Sequence, residues 1–242
     1  MIPKKIHYCW FGGKPLPKSA QKCINSWARL MPDYEIIQWN ESNFDTAMIP
    51  YIKDAYAAKN YAYVSDFARF YILYEQGGVY FDTDVELLRS LEGILAKGGF
   101  MACELDGGTP SGIAVAPGLG IASEPHSPIY KEIMDLYGGL SFLAPDGSLN
   151  NMAVVGNTTN TLKQHGLKDI KGIQEVEGIT VYPAEYFNPL EDSTGILRKT
   201  ANTYAIHWYS KTWIEPKRRL RSRITRVVRR IFGKNCFDFI KK

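Results

Sequence analysis

Apolar positions in this 242-residue chain switch repeatedly between the every-second spacing of strands and the three-and-four spacing of helices. Lys5–Trp10 (KIHYCW) reads as a buried strand ending in a tight turn at Phe11-Gly12-Gly13. Lys18–Leu30 carries Ala20, Cys23, Ile24 and Trp27 at helical spacing, and Met31-Pro32-Asp33 stops it. Tyr34–Trp39 is a second strand. Thr46–Lys59 is helical, although Pro50 interrupts its start, and Asn60–Gln76 is a longer helix closed by Gly77-Gly78. Val79–Val85 follows as a strand-like run that contains Asp82 and Asp84.

The signals soften beyond residue 100. Glu104–Gly120, rich in Gly and Pro, reads as a loop with short strands, and Ser127–Leu136 as a helix. Asn150–His165 reads as a Gly-Asn-Thr-Thr turn leading into a helix. Val181-Tyr182 and Tyr204–Trp208 are further strands. Strands alternating with helices of this length predict an α/β domain with a mostly parallel central sheet. Ligands in such sheets lie at the carboxyl ends of strands, where Trp10 and Asp82–Asp84 both fall.

Composition narrows the picture. Hydrophobic residues at 45% and charged residues at 22% fit one globular domain, assigned to residues 1–216, with a tail at 217–242. The four cysteines lack metal-ligand spacing and read as reduced thiols. The first residues lack the apolar stretch of a signal peptide, and no run suits a membrane span, so a cytoplasmic location is expected.

Charge separates the two parts. Residues 217–242 hold eleven Lys and Arg against Asp238 alone, giving +10, while residues 1–216 carry −6. Within 217–232, Leu220, Ile224, Val227, Val228 and Ile231 form one apolar stripe among arginines. Such a helix suits the headgroup plane of an anionic membrane. Packing on the acidic body is the alternative; nucleic-acid binding is the less favoured use.

The acids carry the chemistry. Two carboxylates at spacing two on a strand face one side and repel, unless a cation lies between them. Mg²⁺ and Mn²⁺ prefer such hard oxygens and share them with substrate phosphates. Asp66 and Arg69 share a helix face, as an exposed ion pair or as ligand-binding groups.

The run Ser65, Asp66, Arg69, Tyr74, Gly77, Gly78, Val79, Tyr80, Asp82, Asp84 resembles the DxD glycosyltransferases of the sugar-binding-region type. These include capsular polysaccharide synthesis proteins and yeast-type initiating mannosyltransferases (glycosyltransferase family 32), with clostridial glucosylating toxins more distant. Ile6, His7, Trp10, Gly12 and Gly13 resemble the family's opening, and Ala205–Trp213 its closing segment, with Thr212 where relatives carry serine before Trp213. Asn157-Thr158-Thr159 matches a family segment poorly, since its proline is missing, and stands as a possible sugar contact only.

The resemblance implies a GT-A-like fold and retaining transfer of a hexose or N-acetylhexosamine from a nucleotide sugar, UDP-linked, with Mn²⁺ or Mg²⁺. Asp84 would be the firmer metal ligand, Asp82 shared between metal and donor, and His207 a further metal or phosphate ligand or a structural histidine. Trp10 would stack on the base, or serve as a core residue. Gly12, Gly13, Asp66, Arg69, Tyr80, Thr212 and Trp213 would contact the donor. His7 reads as a packed strand residue. The acceptor would be a surface polysaccharide or lipid-linked oligosaccharide at the inner face of a bacterial membrane. A toxin-like protein glycosyltransferase and a non-catalytic nucleotide-sugar-binding module are the alternatives.

Overall fold

A computed structural model describes residues 1–144, 154–212, 216–233 and 236. Its central sheet runs β2 (Glu35–Trp39), β1 (Lys5–Cys9), β3 (Gly78–Tyr80), β7 (Ile121–Ser123), β5 (Gly99–Leu105), β9 (Ile179–Tyr182) and β8 (Gln174–Val176), with β6 (Ala114–Val115) paired to β5. Along that path β2, β1, β3, β5 and β9 run in one direction, while β7 and β8 are reversed. The expected α/β fold with a mostly parallel sheet is what forms.

Alternation along the strands divides the core into two layers. On β1, Ile6 and Tyr8 face one cluster and Cys9 the other; on β3, Val79 and Tyr80 divide in the same way. The long helix α3 (Tyr61–Gln76) supplies Val64, Phe67, Ala68 and Leu73 to one layer. Trp27 from α1 (Lys18–Leu30) fills the other, fully buried against Phe81 and Tyr8. Losing such an aromatic costs about 3–5 kcal/mol, because the cavity left behind does not collapse.

The α3-to-β3 turn explains its two glycines. Gly77 and Gly78 have φ of 62° and 99°, where side chains are strained, and a Cβ on Gly78 would press on the Lys5 carbonyl.

Val79–Val85 is not one strand. β3 ends at Tyr80, Phe81–Asp84 turn, and β4 (Val85–Leu87) joins a separate two-stranded sheet with β10 (Ala205–His207). The break is held from both sides. Asp82 N donates to the Gly118 carbonyl, and Val85 N closes a turn onto Asp82 O. From α1, Trp27 Nε1 donates to Val85 O at 2.7 Å and Ser26 Oγ accepts from Leu87 N at 2.9 Å. The two acids therefore do not stand side by side on one pleated face.

Other boundaries shift. The helix expected from Thr46 is α2 (Pro50–Ala57), since Pro50 is favoured at a first helical turn. The Gly-Asn-Thr-Thr segment lies inside α6 (Val154–Gln164) rather than forming a turn. Two short helices, α4 (Glu92–Leu95) and α7 (Ala184–Phe187), and α5 (Pro128–Leu136) complete the body. The final helix, α8 (Pro216–Phe232), follows the body.

Candidate active site

A cavity of about 730 Å³ opens where β1 and β3 end, within the size of small-molecule sites. Trp10, Gly12, Asp66, Arg69, Tyr80, Asp82, Asp84, His207 and Thr212 all line it. Gly13 does not line it, and Trp213 lies outside the described residues.

Arg69 organises one wall. Its Nε donates to Ser65 O at 3.1 Å, fixing the side chain along α3. Its guanidinium lies 2.9 Å from Asp66 and 3.3 Å from Asp82, and 5.0 Å from the Tyr80 ring centre. Tyr80 Oη donates to Asp82 Oδ1 at 3.1 Å. Arg69 is 4% exposed, so the Asp66–Arg69 pair is not the weak surface pair that spacing alone allows. Burial opposes the charge on Arg69, but Asp82, Tyr80 and Asp66 hold it above the ordinary arginine range. Burial pushes Asp66 up to about 6, against the pull of Arg69. One cation thus serves two acids from different elements.

Asp84 is held from the opposite side. Pairing of β4 with β10 places His207 across from Val85, and His207 Nε2 reaches Asp84 Oδ1 at 3.0 Å. Ser210 donates to Asp84 Oδ2 from its backbone N at 2.7 Å and its Oγ at 2.9 Å. Burial would raise the Asp84 carboxyl, yet His207 and Ser210 together hold it well below the usual carboxylate range. His207 is raised in turn: burial works against its charge, and Asp84 outweighs that. Its Nδ1 is buried and has no hydrogen-bond partner among the described residues. The turn carrying Ser210 needs left-handed backbone at Tyr209 and Lys211, with φ of 49° and 50°. Strain of this kind at non-glycine residues persists where surrounding contacts enforce it.

The rim is aromatic. Trp10 is half-buried, and its Nε1 donates to Lys14 O at 2.6 Å. Gly12, with φ of 91°, lies against the Tyr61 ring, where a Cβ would collide. His7 is packed as expected: Trp39 Nε1 donates to its Nδ1 at 3.1 Å, so Nε2 carries the proton that reaches Gly77 O.

Sequence reading missed several lining groups. Glu104, near the end of β5, brings a fourth carboxylate to the cavity beside Asp66, Asp82 and Asp84, and Gly118 lies against Asp82 and Arg69. Ser65, Tyr61, Tyr209, Ser210 and Lys211 also line it. The left-handed turn gives no signal in residue types, because Tyr209 and Lys211 rarely adopt that conformation. Asn157, Thr158 and Thr159 do not line the cavity; Thr159 Oγ1 accepts from Val115 N at 2.9 Å and pins α6 to β6.

The donor set suits a hard divalent ion that fills its remaining positions with other oxygen ligands. Two carboxylates from one turn reach the cavity, with His207 beside them, and Mg²⁺ commonly uses one or two carboxylates plus phosphates. Among the described residues no group of three or more His, Cys, Asp or Glu gathers to hold an ion by protein ligands alone.

Residues 17–101 match the family described as the glycosyltransferase sugar-binding region containing a DXD motif. Inositol phosphoceramide mannosyltransferase 3 of Schizosaccharomyces pombe is 33% identical over 98 residues, which cover 39% of this chain and 27% of that protein. Mannosyl phosphorylinositol ceramide synthase CSH1 of Saccharomyces cerevisiae is 32% identical over 109 residues, covering 42% and 28%. The chain thus spans under a third of the length of these relatives. The PaToxG glycosyltransferase structure superposes with a TM-score of 0.53 at 20% identity, covering 67% of this chain and 69% of that one, so the architecture is GT-A-like. Asp66, Arg69, Asp82 and Asp84 all fall within the segment 17–101 that matches the model of this DXD-motif family.

Proposed function

We propose that this protein is a metal-dependent, retaining glycosyltransferase. It moves a hexose or N-acetylhexosamine from a nucleotide sugar, UDP-linked in our reading, to a glycan or lipid-linked acceptor. The observation that carries the proposal is the convergence of two independently held acids, Asp82 on Arg69 and Asp84 on His207 and Ser210, in one cavity at strand ends. The names of the relatives support a mannosyl group and a phosphate-containing lipid acceptor as particular cases.

The roles follow from position. Trp10 offers a flat face for the base, and such stacking contributes roughly 1–3 kcal/mol. Gly12 lets the backbone close on the ligand. Asp66 and Arg69 bind sugar hydroxyls and phosphate oxygens, since carboxylates accept and guanidinium donates in pairs. Asp84 and Asp82, with His207 near, would hold Mn²⁺ or Mg²⁺, which would offset charge on the diphosphate as a Lewis acid. Thr212 stands at the cavity edge, and Trp213 would extend a cover that excludes water and so prevents hydrolysis. In the retaining step the anomeric bond to the diphosphate breaks as the acceptor oxygen bonds on the same face. The acceptor proton passes to the departing phosphate.

The basic helix supports action at an anionic membrane surface. Leu220, Ile224, Val227 and Ile231 are 59%, 57%, 56% and 68% exposed, whereas Arg226 on the opposite side turns to the body and binds Asp192. A helix that merely packed on the body would bury this stripe. No helix among the described residues is long and apolar enough to cross a membrane.

Thermal shift with UDP- and GDP-sugars in Mn²⁺ tests the proposal on the native chain and on Asp84→Ala. A donor should stabilise the native chain alone and be slowly hydrolysed by it. Equal response of the variant, or no response to any donor, refutes it.

A further inference from the structure

A second cavity, of about 360 Å³, lies behind the first, between α1, the 208–211 turn and the body-facing side of α8. Asp84, Tyr209, Ser210 and Lys211 line both, so this short turn is the wall between them. The second cavity is strongly cationic. Lys22 comes from α1, Lys211 from the turn, and Arg219, Arg223 and Arg226 from α8.

These cations are not equally engaged. Lys211 and Arg226 both bind Asp192, and Lys22 lies 3.3 Å from Glu86. Arg219 and Arg223 form no ion pair among the described residues. Asp84 is the acid in the lining, and it is satisfied by His207 and Ser210. Two uncommitted guanidinium groups in one small cavity, with Ser19 and Ser222 as hydroxyl donors, supply the kinds of donor that a phosphate takes. The cavity is too small to track a polynucleotide, whose binding needs a long basic groove.

We infer that this second cavity is a phosphate-binding site, and that it receives the phosphate of an amphiphilic acceptor beside the donor cavity. The same helix argues for an amphiphile: α8 lines the site with its arginines and turns Leu220, Ile224 and Val227 outward, where acyl chains would lie. The acceptor role rests on the glycosyltransferase reading above, whereas the phosphate site does not.

Isothermal titration of the full chain with inorganic phosphate and with soluble dihexanoyl phosphatidylinositol tests the site. Two double variants of equal charge are compared: Arg219→Gln/Arg223→Gln in the cavity, and Arg218→Gln/Arg221→Gln on the same helix outside its lining. The first should weaken binding at least about tenfold and the second less than about twofold, as expected for charge-assisted contacts rather than net charge. Tighter binding of the phospholipid supports both the site and its amphiphilic ligand; equal binding supports the phosphate site and overturns the amphiphile. Equal weakening by the two variants, or no binding of either probe to the native chain, overturns it. UDP binding, measured in parallel, reports the donor cavity separately: the cavity variant should keep it, and its loss from the native chain would instead refute the donor reading.

Discussion

Arg69 on α3 and Asp82 in the turn after β3 stand 3.3 Å apart, although one belongs to a helix and the other to a broken strand. Asp66 shares the same guanidinium at 2.9 Å. Removing the cation leaves two buried or half-buried acids facing each other, and breaking a buried pair in this way typically costs about 3–5 kcal/mol. Arg69→Met should therefore lower unfolding free energy by several kcal/mol, read from urea denaturation. Arg69→Met/Asp66→Asn should recover part of the loss, because it removes one of the stranded charges. Additive losses in the double variant would show that the shared cation is not the reason.

Gly118 tests the position of Asp82 without replacing any charged group. A Cβ at this position would collide with Asp82 Oδ2 and lie 3.2 Å from Arg69 Nη1. Asp82 has little room to yield, since its backbone N is bonded to Gly118 O and its carboxylate to Tyr80 and Arg69. Gly118→Ala should weaken binding of the stabilising sugar nucleotide by at least about tenfold, an effect of over about 1.4 kcal/mol. Unchanged affinity by titration would mean that the position of Asp82 does not matter to the donor.

The sequence made the architecture legible where periodicity was strong. The amphipathic α1 and the long α3, closed by Gly77-Gly78, form where expected, and nine predicted site residues meet in one cavity. What it hid was the break after Tyr80. Apart from its two acids, Val79–Val85 is β-branched or aromatic, and nothing local distinguishes one strand from two strands joined by a turn. The break is imposed from afar, by Gly118 O, Trp27 and the pairing of β4 with β10. Glu104 and Ser210 were hidden for the same reason: long-range pairing, not spacing, brings them to the acids.

His7 makes a prediction for pH. Burial lowers its pKa from 6.5 to about 4, because both ring nitrogens are committed inside the sheet as a neutral imidazole. A depressed folded value means that its contribution is full above pH 6.5 and is lost as pH falls through 4. The total is roughly 3 kcal/mol by linkage. Asp66 acts with opposite sign in an overlapping window: raised to about 6, its contribution is full below 3.8 and is lost as pH rises through 6. Unfolding free energy measured from pH 4 to 7 should climb less steeply in His7→Gln than in the native chain, and more steeply in Asp66→Asn. Parallel curves for all three proteins would refute both assignments.

The outward stripe of α8 separates two physical causes of membrane attachment. Replacing Leu220, Ile224, Val227 and Ile231 by Ser keeps every cation but removes most of the exposed apolar surface of the helix. Burying such side chains contributes roughly 1.5–3 kcal/mol each, less where burial is partial, while each basic residue near an anionic surface adds about 1 kcal/mol. The native chain should float with anionic liposomes and hold on at raised salt, because the apolar part is not screened. The serine variant should bind at low salt and release as salt rises. Residues 1–216 alone should stay with the unbound fraction. Flotation of the truncated chain equal to that of the full chain would place the contact elsewhere on the body. Salt curves that coincide for the native and serine proteins would show that the stripe, though exposed, does not enter the bilayer.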